Sequence, residues 1–189
     1  DVHRALKALA VADALSQIRQ AFLRDQQRHC ALLDKLRESI PGLVLRTSII
    51  AGLPGEGEEE FNELCEFLRE QKMLRAGVFP YSPEEGTRAA KMERVDSDEA
   101  ARRAERIVDI QSEIIDAWND ERQGDVMEVL CEGFDGQSML FVGRSYAESP
   151  DIDGRIYFSA PRDVAAGEFV PVRITGAMDG ELTGELAEE

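Results

Sequence analysis

Cysteine is scarce and dispersed. The 189 residues include three, Cys30, Cys65 and Cys131, an odd number at wide spacings. That excludes a disulfide framework and any zinc or iron–sulfur ligand set drawn from one local loop. Histidine is scarcer: His3 and His29 lie in polar helical settings with no companion at metal-ligand spacing, which suits solvated surface roles. No apolar run of roughly 18 residues is present to span a bilayer, and the charged, amphipathic start DVHRALKALAVADAL is unlike a secretory signal. A soluble, cytoplasmic protein without a membrane partner is expected. Lysine is missing from the last third. After Asp125, thirteen Asp and Glu face four Arg and no Lys, so nine net negative charges of a chain total of −16 lie there. Such an excess repels phosphate backbones and attracts cationic surfaces; it disfavours nucleic acid and favours a basic protein partner, while acidity for solubility alone is the plainer alternative.

What is present suffices for real cores: 43% of residues are apolar, enough for one sizeable domain or one medium and one small domain. From Arg4 to Ser39 there is no Pro or Gly, and Leu6, Leu9, Leu15, Ile18, Phe22, Leu32, Leu33 and Leu36 recur at helical spacing. The polar run LRDQQRHCA, Leu23 to Ala31, predicts a bend between two helices, and Pro41-Gly42 stops the second. Leu43 to Ala51 reads as a parallel strand covered on both faces, because its hydrophobicity is nearly continuous. A helix follows from Glu58 to about Gln71. Glu58, Glu59 and Glu60 occupy its positive end, and Phe61, Leu64, Cys65 and Leu68 form its apolar face. Cys65 on that face reads as an inert core thiol, and the carboxylates of 56–60 as a solvated first turn rather than a metal cluster.

A second strand, Ala76 to Tyr81, completes a βαβ unit with a parallel sheet and right-handed crossover. After the turn-rich SPEEGTRAAKM, the pair Asp96 and Glu99 opens a long helix to about Arg122, with Ala100, Ala104, Ile107, Ile114, Ile115 and Trp118 as its buried stripe. Gly124 ends it. The runs MEVLCEGF, SMLFVGRSYA, GRIYFSA, EFVPVRITGAM and ELTGEL then predict a five-stranded antiparallel barrel or a near relative. The fold class is therefore α/β over 1–124 followed by a small all-β barrel over 125–189.

Chemistry is expected where the first strand ends. The stretch LRTSIIAGLPGEGEEEFNELCEFL places a glycine-punctuated elbow at the carboxyl end of a strand, where α/β proteins hold ligands. Gly52 and Gly55 suit close backbone approach or positive φ, although an ordinary strand-to-helix turn uses the same residues. Arg46 is the odd residue of an apolar strand: it either pairs with a carboxylate or reaches the carboxylate of a ligand. Phe79 and Tyr81, two apart, share one face, where they line a pocket or fill a core.

Three motifs in order, IPGLVLRTSIIAGLPGE, GVFPYSPEEGT and GRSYAESPDIDG, resemble the C-terminal part of the radical-SAM methylthiotransferases over about Ile40 to Glu185. The likeness is greatest to the protein-modifying RimO branch, which methylthiolates an aspartate of the twelfth small-subunit ribosomal protein. It implies the end of a radical-SAM (β/α) barrel followed by a TRAM domain. It also implies S-adenosylmethionine and two four-iron clusters as cofactors, one cluster held by CxxxCxxC; those ligands are absent from this sequence. By resemblance Ile50 and Gly52 border the adenine, and Gly55, Arg46, Phe79 and Tyr81 are the further candidates for the cofactor site. Ser48 and Gly55 depart from the family's GxIxGxxE-type pattern. The tRNA-modifying branch typically reads YSPRPGT and carries a more basic terminal barrel, so Glu84-Glu85 and the acidic barrel here disfavour tRNA and favour a basic ribosomal protein. Without its cluster-binding half the segment is expected to be inactive alone and prone to self-association. The rival reading is a non-catalytic acidic interaction module, truncated or degenerate.

Overall fold

The computed structural model describes residues 27–187. Two compact units divide at residue 43/44. In the first, helix α1 covers 27–39, and Gly42, with φ +72°, follows in the turn. The helix predicted from Arg4, together with His3, lies outside the described residues. Over residues 27–31 the expected bend is instead helical: the run has polarity but no Gly or Pro, and Gln, Arg and Ala all favour helix.

The second unit begins with strand β1 (Arg46–Ala51), helix α2 (Glu58–Gln71), strand β2 (Arg75–Pro80) and helix α3 (Ser97–Glu121). β1 and β2 pair in parallel, with Arg46 opposite Arg75, Ser48 opposite Gly77 and Ile50 opposite Phe79. β1 is covered on one face only. Ile49 and Ala51 are buried while Ser48 and Ile50 are exposed, because the helices pack against a single side of the two strands. Both helices start and stop close to the predicted positions. The Gly57 amide donates to the Glu60 carboxylate at 2.9 Å, and Asp96 Oδ1 accepts from the amides of Asp98 and Glu99 at 3.0 and 3.3 Å, satisfying first-turn donors. α3 is anchored to the start of β2 through Gln111, whose Nε2 donates to the carbonyls of Met73 and Leu74 at 2.8 and 2.6 Å. Its stripe holds Ala100, Ala104, Ile107 and Ile110 in the core. Ile114, Ile115 and Trp118 are half-buried.

Past α3, strands β3 (Val126–Asp135), β4 (Leu140–Arg144), β5 (Ile156–Ser159), β6 (Phe169–Met178) and β7 (Glu181–Leu186) close into a barrel in the order β3-β4-β5-β7-β6. The closure departs from an all-antiparallel expectation, since β5 and β7 run parallel. The reason is topological: strand direction cannot alternate around a ring with an odd number of members, so one pair must be parallel. Val129, Ile156, Phe158, Val170, Val172 and Ile174 fill the interior, and Trp118 of α3 packs against the same core. On β4, Gly143 has no room for a side chain, as a Cβ there would lie 2.5 Å from the Leu130 carbonyl oxygen of β3.

Candidate functional site

The elbow after β1 is stapled from two sides. Gly52 adopts φ +78°, and a Cβ on it would fall 2.4 Å from the Ala100 Cβ. The missing side chain therefore makes room for α3. The Gly52 amide donates to Glu56 Oε1 at 2.9 Å. Arg103 Nη1 donates to the same carboxylate at 2.8 Å and to the Glu56 carbonyl at 2.9 Å, while its Nε reaches Glu99 at 2.9 Å. Burial works against the Arg103 cation, yet the hydrogen bonds to Glu56 and Glu99 outweigh it and raise its pKa. Its guanidinium also lies over the Phe61 ring, 5.1 Å from the centroid. Gly55, at φ +87°, has open space around its Cα, so it serves the turn's conformation.

Ile50, Phe79 and Tyr81 do come together. They line a pocket of about 360 Å³ with Pro80, Ser82, Glu84, Thr87 and Ala89 at the carboxyl end of the strands. Ile50 and Phe79 are cross-strand neighbours, 48% and 57% exposed. The Tyr81 amide extends the sheet by donating to the Ala51 carbonyl at 2.8 Å. Its hydroxyl is buried without a hydrogen-bond partner among the described residues. A buried phenol in that state is costly unless something completes it.

Arg46 stands apart from that pocket. It begins β1, four residues before Ile50, about 13 Å along an extended strand. Its guanidinium pairs with Asp153 and donates to Ser149 Oγ at 3.1 Å, so of its two expected roles it takes the carboxylate pairing. Its register partner Arg75 reaches Glu148 at 3.3 Å and Asp153 at 3.9 Å. Glu148 accepts in addition from the Ser145 amide and hydroxyl at 2.8 and 2.7 Å, and Asp153 from the Ser149 amide at 2.7 Å. Arg75, Glu148 and Asp153 are all more than nine-tenths buried in their side chains. The β4–β5 loop thus clasps the amino ends of both sheet strands. Sequence reading missed Arg75, Glu148 and Asp153; the available signal was an arginine at the head of each strand and a carboxylate-rich loop inside GRSYAESPDIDG.

Elsewhere on the barrel, Arg162 and Glu168 hydrogen-bond at 2.7 Å, which lowers the Glu168 pKa and raises that of Arg162. Bonds from Ser138 and Gln137 lower that of Asp135. Burial pushes both the Cys65 and the Cys131 thiols up, which opposes the thiolate that metal ligation requires. Cys131 belongs to the barrel core and Cys65 to the buried face of α2. Among the described residues no group of three or more His, Cys, Asp or Glu is placed to hold a metal ion, and none of the helices is long and apolar enough to cross a membrane.

The family profile described as TRAM domain matches residues 124–187, the closed barrel. The chain is also 42% identical over 181 residues to the ribosomal protein uS12 methylthiotransferase RimO of Desulforamulus reducens, covering 95% of this chain and 40% of that protein. Proteins of the same name from Pelotomaculum thermopropionicum and Symbiobacterium thermophilum are 46% and 44% identical over 157 and 160 residues, covering 82% and 83% of this chain and 35% and 33% of theirs. The chain is a RimO-like C-terminal segment. It spans about two fifths or less of the length of these relatives. In this RimO-like chain the first resembling motif gives the pocket Ile50 and the second gives it Phe79 and Tyr81, whereas the third forms the clasp.

Proposed function

We propose that this chain serves a cytoplasmic radical-SAM methylthiotransferase that modifies an aspartate of ribosomal protein uS12, and that its acidic barrel docks the basic substrate. The relatives' names supply the reaction. The observation that carries the docking role is the barrel's nine net negative charges without a lysine. Three of its four arginines are already engaged: Arg144 with Glu132 at 2.9 Å, Arg162 with Glu168 at 2.7 Å, and Arg173 with the Gly124 carbonyl at 3.2 Å. A field of this sign speeds encounter with a cationic protein and slows approach of RNA.

The pocket at the carboxyl end of the sheet fits a nucleoside. Ile50 and Phe79 offer apolar walls, the orphaned Tyr81 hydroxyl offers a hydrogen bond, and Gly52 and Gly55 shape the elbow alongside. S-adenosylmethionine, when bound, supplies the family's radical chemistry. Arg46 contributes to the clasp rather than to this pocket. Cys65 and Cys131 do not fit a four-iron cluster, since they are buried in separate cores.

The test is to titrate the chain with purified uS12 and with tRNA across a range of salt. Binding to uS12 should be the tighter and should weaken severalfold as salt rises. Tighter binding of tRNA overturns the substrate assignment. The three widely separated cysteines favour a second reading, a non-catalytic acidic interaction module. The coding region upstream discriminates: a CxxxCxxC segment in frame supports the enzyme, and a frame without one supports the module.

A further inference from the structure

Glu84 is the one charged residue lining the pocket otherwise formed by Ile50, Phe79, Pro80, Tyr81, Ser82, Thr87 and Ala89. The turn beyond β2 holds its backbone in place. The Thr87 amide and hydroxyl both donate to the Glu84 carbonyl, at 3.2 and 2.8 Å, and Thr87 Oγ1 accepts from the Ala90 amide at 3.2 Å. Its side chain is exposed and makes no hydrogen bond or ion pair among the described residues. The result is a single unpaired carboxylate, carried by an ordered turn to the lip of a pocket with apolar walls.

We propose that Glu84 is a specificity-determining residue, whose carboxylate receives the cationic end of a lysine or arginine side chain of the bound polypeptide while the aliphatic stem lies along Phe79 and Pro80. The chemistry of the site selects such an occupant. Long basic side chains lay an apolar stem on apolar surface and keep the charge at its edge, and a cation over the 57% exposed Phe79 ring gains further attraction. A phosphate at the same lip meets like charge. At about 360 Å³ the pocket has room beyond one stem, so the Ile50 and Tyr81 side remains open to a nucleoside. This inference rests on the reading of a basic protein as partner.

The experiment uses the intact chain and two synthetic decapeptides, one with a central aspartate flanked by lysines and one with glutamines in their place. Glu84→Lys should weaken the lysine peptide about fivefold to tenfold and Glu84→Gln about threefold, leaving the glutamine peptide unchanged. Glu85→Lys makes the same change in net charge next to Glu84 but outside the pocket lining, and should cost no more than about twofold. Unchanged thermal unfolding of each variant checks that the fold is intact. Equal weakening of both peptides, equal effects at Glu84 and Glu85, or no effect at Glu84 overturns the proposal. If uS12 still binds the chain in a salt-sensitive way, that failure belongs to Glu84 alone; if uS12 does not bind, the partner reading falls with it.

Discussion

The two halves of the region 44–187 solve the problem of an unsatisfied sheet differently. The five-stranded barrel closes on itself, so each strand has neighbours on both sides and its interior is a continuous apolar core. Among the described residues the β1–β2 sheet has two strands and one covered face, and its amino ends are held by two arginines on two carboxylates of a barrel loop. Closure leaves the barrel without an unpaired strand edge. Openness gives the sheet an exposed inner face, on which Ile50 and Phe79 are available to a ligand or to another protein.

If that contrast holds, the largest effect comes from the barrel interior. Phe158 is fully buried and stacks on Phe141 at 5.6 Å, so Phe158→Ala should cost about 3–5 kcal/mol in chemical denaturation. Hydrogen exchange should then show barrel amides losing protection before those of β1 and β2. Simultaneous loss would mean that the two halves are one cooperative unit.

Next in size is the clasp. Asp153→Ala removes the carboxylate shared by Arg46 and Arg75 and leaves Arg75 buried with Glu148 alone, for an expected loss of about 3 kcal/mol. Exchange at the amino ends of β1 and β2 should accelerate while the barrel core stays protected. A uniform change across both halves would show that the clasp does not act locally.

A smaller effect concerns the open face. Half-exposed Ile50 and Phe79 should drive weak self-association of the chain, seen as concentration-dependent sedimentation. Phe79→Glu should abolish it without lowering thermal stability. Strictly monomeric behaviour of the unmodified chain at high concentration would contradict this expectation.

The smallest effect is acid sensitivity of the barrel. Glu168 and Asp135 both have lowered folded-state pKa values, through Arg162 for the first and Ser138 and Gln137 for the second. Their stabilisation is present above the ordinary values of 4.5 and 3.8 and is lost as pH falls through the folded ones. Melting temperature should therefore decline below about pH 4.5, and Arg162→Ala should shrink the part of that decline due to Glu168. An unaltered acid profile in the variant would remove the pair from the account.

Helices α2 and α3 were legible because their signals are local. Three glutamates in the first turn of α2, the Asp96 cap of α3 and the Gly124 stop all act within a few residues of the boundary they set. The five barrel strands were legible for the same reason, from alternation broken by turn residues. The site was half legible: the two-residue repeat placed Phe79 and Tyr81 on one side, and the elbow led to Ile50. The close approach of Ala100 to Gly52 was not legible, because a glycine demanded by a neighbouring helix reads in sequence like one demanded by a turn or a ligand.

By itself the sequence determined the order of α2, α3 and the strands, the acidity of the barrel and the wide separation of the chain's three thiols, all consequences of local spacing and composition. Tertiary structure alone decided the parallel β5–β7 closure, the seat of Ala100 over Gly52 and the partners of Arg46 and Arg75. Those carboxylates lie 107 and 73 residues away along the chain. A charge carries no mark of its partner in sequence; burial at the meeting of two folded parts selects it, because an arginine left unpaired there is too costly to keep.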